Sequence, residues 1–354
     1  MRVLMVGVDE QTKGGMWTVA ENYLRSESFV SRVNLKYIPT SITGTIPRRL
    51  LFTGKALLLI FKELFSYQYD IVHVHMAERG SVYRKNLVMC IAKVFRCKIV
   101  LHLHGAEFES WYNALSSVKR KHVCKILNKA DKVIILGNYW EVFIRSLVKT
   151  EGKVCVVHNA VLVPDENRYN TTAKNLLFLG VVGQRKGVYD LLQAIQQIDT
   201  RLPEDVKLNI YGPDPENTIH ETIKQMGLSN RVIYKGWLAA GDKEQVFAEM
   251  AVNILPSYNE GLPMTILECM SYGIPNISTN VAAIPEAVNN RNGILINPGD
   301  VEQLGRAIDL LMSNDRERSQ KSAEAYSCAK KSFSLSAHFE KIMDIYRELS
   351  GNNV

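Results

Sequence analysis

Short apolar, β-rich runs alternate with longer helix-patterned stretches from one end of this chain to the other, and that rhythm limits its fold more than any other feature. "RVLMVGV", "VNLKYI", "DIVHVHM", "KIVLHLH", "KVIILG" and "KVCVVHN" come first. After the polar stretch "VPDENRYNTTAKN" the rhythm restarts with "LLFLG", "VKLNIYG", "RVIYKG", "VNILPS", "IPNIST" and "GILINP". Strands that are apolar nearly throughout and separated by helices form parallel sheets covered on both faces. The expectation is two doubly wound, Rossmann-like α/β domains, residues 1–165 and 166–334, joined near 160 to 174. A length of 354 residues fits two domains of about 150 each. The closing pattern "SAHFEKIMDIYRELS" carries Phe339, Ile342, Met343, Ile345, Tyr346 and Leu349 at helical spacing and must bury one face. Periodicity alone does not say on which domain; for this helix, about 335–354, the N-terminal one is the expectation.

Composition narrows the class. Hydrophobic residues make up 46% and charged residues 22%, as in a globular protein with a substantial core. The cysteines (Cys90, Cys97, Cys124, Cys155, Cys269, Cys328) form no CxxC pair, so neither a disulfide framework nor a zinc knuckle is indicated, and a reducing cytoplasm fits. The opening "MRVLMVGVDEQTKGG" turns polar too soon for a signal peptide, and no apolar run approaches the ~18 residues of a membrane span.

In such sheets ligands sit at the carboxyl ends of the strands, where loops lead into helix N-termini rich in free N–H groups. The first of these loops, "DEQTKGG", places Gly14 and Gly15 at a helix start, where backbone can approach a phosphate or sugar closely. A flexible turn is the plain alternative. It is not GxGxxG, which argues against a nicotinamide or flavin oxidoreductase. In the second half, "LFLGVVGQRKGVYDLL" runs through Gly180, Gly183 and Gly187 and the pair Arg185-Lys186 into a helix. Cations at a helix N-terminus oppose its dipole, and an anion such as a diphosphate offsets that cost; a solvated charged turn is the other reading.

"NILPSYNEGLPMTILECMSYGIP", residues 253–275, holds two glutamates eight positions apart. "NILP" ends a strand, "SYNE" is a loop, and Pro263 suits a first helical turn, where its missing N–H is no loss. Glu260 then lies just before the helix and Glu268 inside it, with the free N–H groups near Met264 and Thr265 between them. Carboxylates on either side of an anion site suit a ligand with hydroxyls at both ends of a diphosphate. The bland alternative is a helix-end charge and a solvated helix residue.

This stretch, with "AAIPEAV" and "NGILINPGD", resembles the retaining nucleotide-sugar glycosyltransferases of the GT-B fold, family 4, marked by E-x7-E. "DIVHVH", "LHLHG", "VVHNAV", "RKGVYDLL", "LNIYGPD" and "VIYKGW" fall in the family's order, so the resemblance covers nearly the whole chain. It implies two Rossmann-like domains with a donor cleft between them, the N-terminal one for the acceptor and the C-terminal one for the nucleotide sugar. It implies that Glu268 holds the ribose hydroxyls, that Glu260 faces the transferred sugar, and that Lys186 binds the diphosphate with backbone N–H groups at Met264 and Thr265. Gly261 and Leu262 lie in the same donor-binding stretch, Gly14 and Gly15 meet the donor from the other domain, and His104 lines the sugar pocket near the anomeric carbon. The family usually has an arginine directly after the glycine that ends "FLG"; here it is Val181, and Arg185 is the substitute cation.

The implied reaction moves a hexosyl group from a nucleoside-diphosphate sugar, a UDP-sugar being favoured, to an acceptor hydroxyl with retention of configuration. Glu260, Lys186, His104 and Arg185 are the expected catalytic set. Charge on the departing diphosphate is met by Lys186, Arg185 and the helix N-terminus, so no cofactor and no metal are expected, and no DxD motif is present. The main rival is a metal-dependent hydrolase using His73, His75, His102 and His104, whose His-x-His spacing some zinc sites share; packing inside the sheet is the alternative for these rings. An epimerase lacks placeable acid and base groups. A non-catalytic sugar-nucleotide binder finds support only in Val181.

Charge is asymmetric. Residues 1 to 165 carry 24 Lys and Arg against 13 Asp and Glu, within a whole-chain balance of +7. In "IPRRLLFTGKALLLIFKELF", Arg48, Lys55 and Lys62 recur every seven residues and form one stripe, with Leu50, Leu57, Phe61 and Leu64 opposite. "VKRKHVCKILNK" adds a second basic segment. A helix lying on an anionic membrane surface is expected, its alternative being a core-packed helix with a solvated basic side. The acceptor is then a lipid-linked saccharide, as in bacterial surface-polysaccharide or capsule assembly, on the inner face of the cell membrane, and no nucleic-acid partner is expected.

Overall fold

The computed structural model describes residues 1–12 and 14–351. The chain forms two compact units: Met1–Asn159 together with the stretch that begins at Leu335, and Ala160–Ser334.

The first unit holds a parallel sheet of β1 (Arg2–Gly7), β2 (Asn34–Pro39), β3 (Ile71–Met76), β4 (Lys98–Leu103), β5 (Lys132–Ile135) and β6 (Val154–Val156), in the order β2-β1-β3-β4-β5-β6. β3 is buried along its whole length, whereas the edge strand β2 alternates. Helices cover both faces of a central strand, so it stays apolar throughout, while an edge strand keeps a wetter side. The C-terminal helix Leu335–Ser350 belongs to this unit and buries His338, Phe339, Ile342, Met343, Ile345 and Tyr346. Its Phe339 ring lies 4.8 Å from Phe29 and 5.2 Å from Tyr23. Leu349, also expected on the buried face, is only half-buried, because the helix ends beside it.

The second unit holds β7 (Asn175–Leu179), β8 (Leu208–Tyr211), β9 (Val232–Gly236), β10 (Met250–Leu255), β11 (Asn276–Thr279) and β12 (Gly293–Ile296), again parallel, in the order β12-β11-β10-β7-β8-β9. The polar stretch that separates the two halves of the sequence is fixed onto this unit. The Tyr326 hydroxyl donates to the Pro164 carbonyl at 2.7 Å, and Tyr169 donates to Ala251 at 3.0 Å. Among the described residues no helix is long and apolar enough to cross a membrane.

Helix Ile46–Ser66 packs differently from the sequence expectation. Its buried line is Ala56, Ile60 and Leu64, with Leu57 half-buried, so Leu64 faces the core and is not on an exposed apolar side. Arg48, Lys55 and Lys62 are exposed. Beside them runs a second, solvent-facing apolar ridge in which Leu51, Leu58 and Phe65 are 63%, 73% and 75% exposed. The helix is apolar on most of its circumference, and packing against its own unit uses only one strip of that surface.

Candidate functional site

The loop after β7 and the loop after β10 meet at the carboxyl end of the second sheet, where those two strands are neighbours. Gly187, which ends the single turn Gln184–Lys186, has φ +69, and a Cβ there would sit 2.0 Å from the Pro256 carbonyl oxygen. Only glycine permits that approach. It brings the Tyr258 N–H within 2.9 Å of the Arg185 carbonyl, and the Arg185 guanidinium donates to the Asn259 carbonyl at 2.9 Å.

The same approach puts the Lys186 ammonium in contact with Glu260, and the Ser257 hydroxyl donates to the same carboxylate oxygen at 2.9 Å. Both charges are largely desolvated, with side chains 15% and 7% exposed. A buried pair of this kind costs desolvation that its attraction only roughly offsets, which makes it a site feature more readily than a stabilising one. Helix Met264–Ser271 starts directly after Pro263, with Gly261, Leu262 and Met264 buried and Thr265 half-buried. Its first N–H groups are the ones a helix leaves unbonded. The Thr265 hydroxyl donates to the Leu179 carbonyl at 3.0 Å and fixes the helix start over the end of β7.

One turn further in, Glu268 Oε1 accepts from Lys243 Nζ at 2.8 Å. Lys243 opens the short helix Lys243–Phe247 after β9. Neither it nor Ser257 is visible as a site residue from sequence, since only the fold brings them to the glutamates. Each carboxylate of the pair thus carries its own lysine. Val181, where the family usually has arginine, is 40% exposed and brings no charge to this face.

The remaining candidates lie in the other unit. Helix Gly15–Arg25 starts at Gly15, and its N-cap Gly14 has φ +146 with open space where a Cβ would stand. His104, half-buried, follows β4, and its Nε2 bonds His75 Nδ1 at 2.8 Å. The donor-side roles of these three residues rest on the family resemblance alone.

The two His-x-His pairs lie on adjacent strands, with His75 directly opposite His102. His73 Nδ1 meets the Tyr346 hydroxyl at 2.6 Å and His73 Nε2 meets His102 Nδ1 at 3.3 Å. His338 bridges the His158 carbonyl at 2.8 Å and the Tyr23 hydroxyl at 2.6 Å. Burial, reinforced by the neighbouring imidazoles, pushes His73 and His104 down to about 3. Burial likewise pushes His338 down to about 4. These rings are therefore neutral at neutral pH. Ligand atoms of His73, His75 and His102 lie within 4.8 Å of one another, but all three residues are 0% exposed. A hydrolytic metal keeps an open position for water and substrate, which these enclosed rings do not offer. The hydrolase reading fails on that geometry, and the rings form a packed polar layer under the C-terminal helix.

Known proteins resemble this chain in sequence and in fold. A family described as "Glycosyltransferase Family 4" matches residues 18–162, and one described as "Glycosyl transferases group 1" matches residues 173–314. The chain is 26% identical over 326 residues to the UDP-Gal:alpha-D-GlcNAc-diphosphoundecaprenol alpha-1,3-galactosyltransferase of Escherichia coli, covering 84% of this chain and 80% of that one. Its fold is that of sucrose-phosphate synthase from Thermosynechococcus elongatus, with TM-score 0.78 at 17% identity over 99% of this chain and 100% of the other. Anabaena HepE, solved in complex with UDP-glucose, gives TM-score 0.76 at 15% identity over 98% and 100%.

Proposed function

Because the chain belongs to glycosyltransferase family 4 and has the GT-B fold, we propose that it transfers a hexosyl group from a UDP-sugar to a lipid-linked saccharide during surface-polysaccharide assembly, with retention of configuration. The observation that carries this reading is the cup at the carboxyl end of the second sheet: Lys186 on Glu260, Lys243 on Glu268, and a helix N-terminus between them. Glu268 accepts from the ribose hydroxyls and Glu260 from those of the sugar, while Lys186 and the N–H groups at Met264 and Thr265 hold the diphosphate. Charge on the leaving diphosphate grows in the transition state, so Lys186 contributes most there, with Arg185 beside it. With that charge met by cations and a helix end, turnover needs no metal. The UDP-sugar donor and the lipid-linked acceptor draw support from the Escherichia coli relative, whose name specifies UDP-Gal and a diphosphoundecaprenol-linked sugar.

The acceptor is met at an anionic membrane surface. The support is helix Ile46–Ser66, where Arg48, Lys55 and Lys62 run beside the exposed ridge of Leu51, Leu58 and Phe65. Cations meet lipid headgroups and the ridge enters the interface. Replacing the three cations by Gln removes ~1 kcal/mol each and is expected to weaken binding to anionic liposomes by roughly two decades. Equal binding of the unmodified protein to neutral and anionic liposomes at low salt contradicts the membrane reading and leaves the transferase reading standing. The catalytic reading is tested by incubating the enzyme with UDP-sugars and a lipid-linked saccharide in excess EDTA. Expected are UDP release and a product that keeps the donor's anomeric configuration by NMR; loss of turnover in EDTA, or an inverted product, overturns the corresponding part.

A further inference from the structure

We propose that Lys243 is a positioning residue that sets the site's selectivity for ribose over deoxyribose by holding Glu268; the inference rests on the reading of Glu268 as the ribose-binding carboxylate. A glutamate has three rotatable bonds, and it discriminates a ligand hydroxyl only if its carboxylate is held in one orientation. Glu268 receives that aim from one contact. Lys243 takes Oε1 at 2.8 Å, with the two side chains 26% and 14% exposed. With Oε1 engaged, Oε2 is the oxygen left to turn toward a ribose hydroxyl.

The lysine reaches Glu268 from a different part of the sheet. It follows β9, at the edge of the sheet, whereas Glu268 lies on the helix that follows β10. Its sequence neighbour Glu244 pairs instead with Arg168, both side chains largely exposed. The local chain therefore separates an exposed surface pair from a half-desolvated one aimed at the site, and a charge-assisted bond counts for more in the second setting. Helix Met264–Ser271 thus presents a carboxylate already locked before any nucleotide arrives, which lowers the ordering cost of binding.

Titration calorimetry with UDP and with 2′-deoxy-UDP, on the full chain and its Lys243→Met, Lys243→Gln, Lys243→Arg and Glu268→Ala variants, tests this. The unmodified protein is expected to favour UDP by about tenfold to a hundredfold, the range of a charge-assisted hydrogen bond. Lys243→Met and Lys243→Gln are expected to reduce that preference to within about threefold, mainly by weakening UDP, and Lys243→Arg to retain most of it. Equal weakening of both nucleotides in the Met and Gln variants, or an unchanged preference in them while Glu268→Ala abolishes it, overturns the role of Lys243 and leaves the ribose reading intact. Absence of a UDP preference in the unmodified protein, or its persistence in Glu268→Ala, overturns the ribose reading itself and the inference with it.

Discussion

The first unit packs His73, His75 and His102 against Tyr23 and against His338 and Tyr346 of the C-terminal helix, and the described hydrogen bonds of these imidazoles run to one another, to His104, to tyrosine hydroxyls and to the His158 carbonyl, never to a carboxylate. The second unit, on a sheet of the same kind, sets Glu260 against Lys186 and Glu268 against Lys243. Both arrangements hold polar groups out of water, but they store different things. The neutral layer gains hydrogen bonds and ring packing at the cost of staying uncharged, so it titrates with the fold. The charged cup sets each carboxylate against a lysine and gains most when a ligand supplies the remaining partners. One layer is structural and acid-sensitive; the other is poised for binding.

Acid should separate the two most strongly. His73 and His338 are held at about 3 and about 4, below the ordinary imidazole value of 6.5. The unfolded chain therefore takes up protons first. The stability these groups contribute is complete above pH 6.5 and is lost as pH falls from there toward 3 to 4. At pH 5 the two together remove ~4 kcal/mol from the first unit. Hydrogen exchange at pH 7 and pH 5, corrected for intrinsic rates, should show β3, β4 and the C-terminal helix losing protection while β7 and β10 keep theirs. Equal loss in both units would contradict the contrast.

Within the cup, Lys186→Ala should lower kcat by about a hundredfold or more, in the range seen for removal of one transition-state charge partner, with a smaller change in donor KM. A change confined to KM would make Lys186 a ground-state contact only. Smallest is Tyr346→Phe, which removes the hydroxyl bonded to His73 at 2.6 Å. It should cost ~1 to 3 kcal/mol of stability in the first unit and leave nucleotide affinity unchanged; weakened UDP binding in that variant would show that the layer and the cup are coupled.

The sequence was readable where burial is two-sided or where the chemistry is local. Central strands such as β3 and β10 announce themselves because a doubly covered strand cannot interrupt its apolar run, while the edge strands β2 and β9 show as shorter alternating runs. Glu260 and Glu268 announce themselves because their spacing is set by one loop and one helix. Lys243 could not be read, since 25 residues separate it from Glu268 and only the crossover from β9 at the sheet edge back to β10 brings them together. The His-x-His alternation gave a shared face for each pair but not the register that sets His75 opposite His102 and stacks their rings 5.2 Å apart. In helix Ile46–Ser66 the basic stripe was legible, but apolar residues surround it so widely that periodicity could not say that Leu64 turns inward while Leu58 and Phe65 stay in solvent.

The central claim is that the carboxyl end of the second sheet binds a nucleoside diphosphate through Glu268. Thermal unfolding with and without UDP, in the unmodified protein and in Glu268→Ala, tests it directly. At 100 times Kd, UDP should stabilise the unmodified protein by about 2.7 kcal/mol. The variant should lose ~1.5 to 3 kcal/mol of binding, so that the same UDP concentration stabilises it by only ~0.3 to 1.3 kcal/mol, half the shift or less. An identical UDP-induced shift in a folded Glu268→Ala protein, or none in the unmodified protein, would contradict the account.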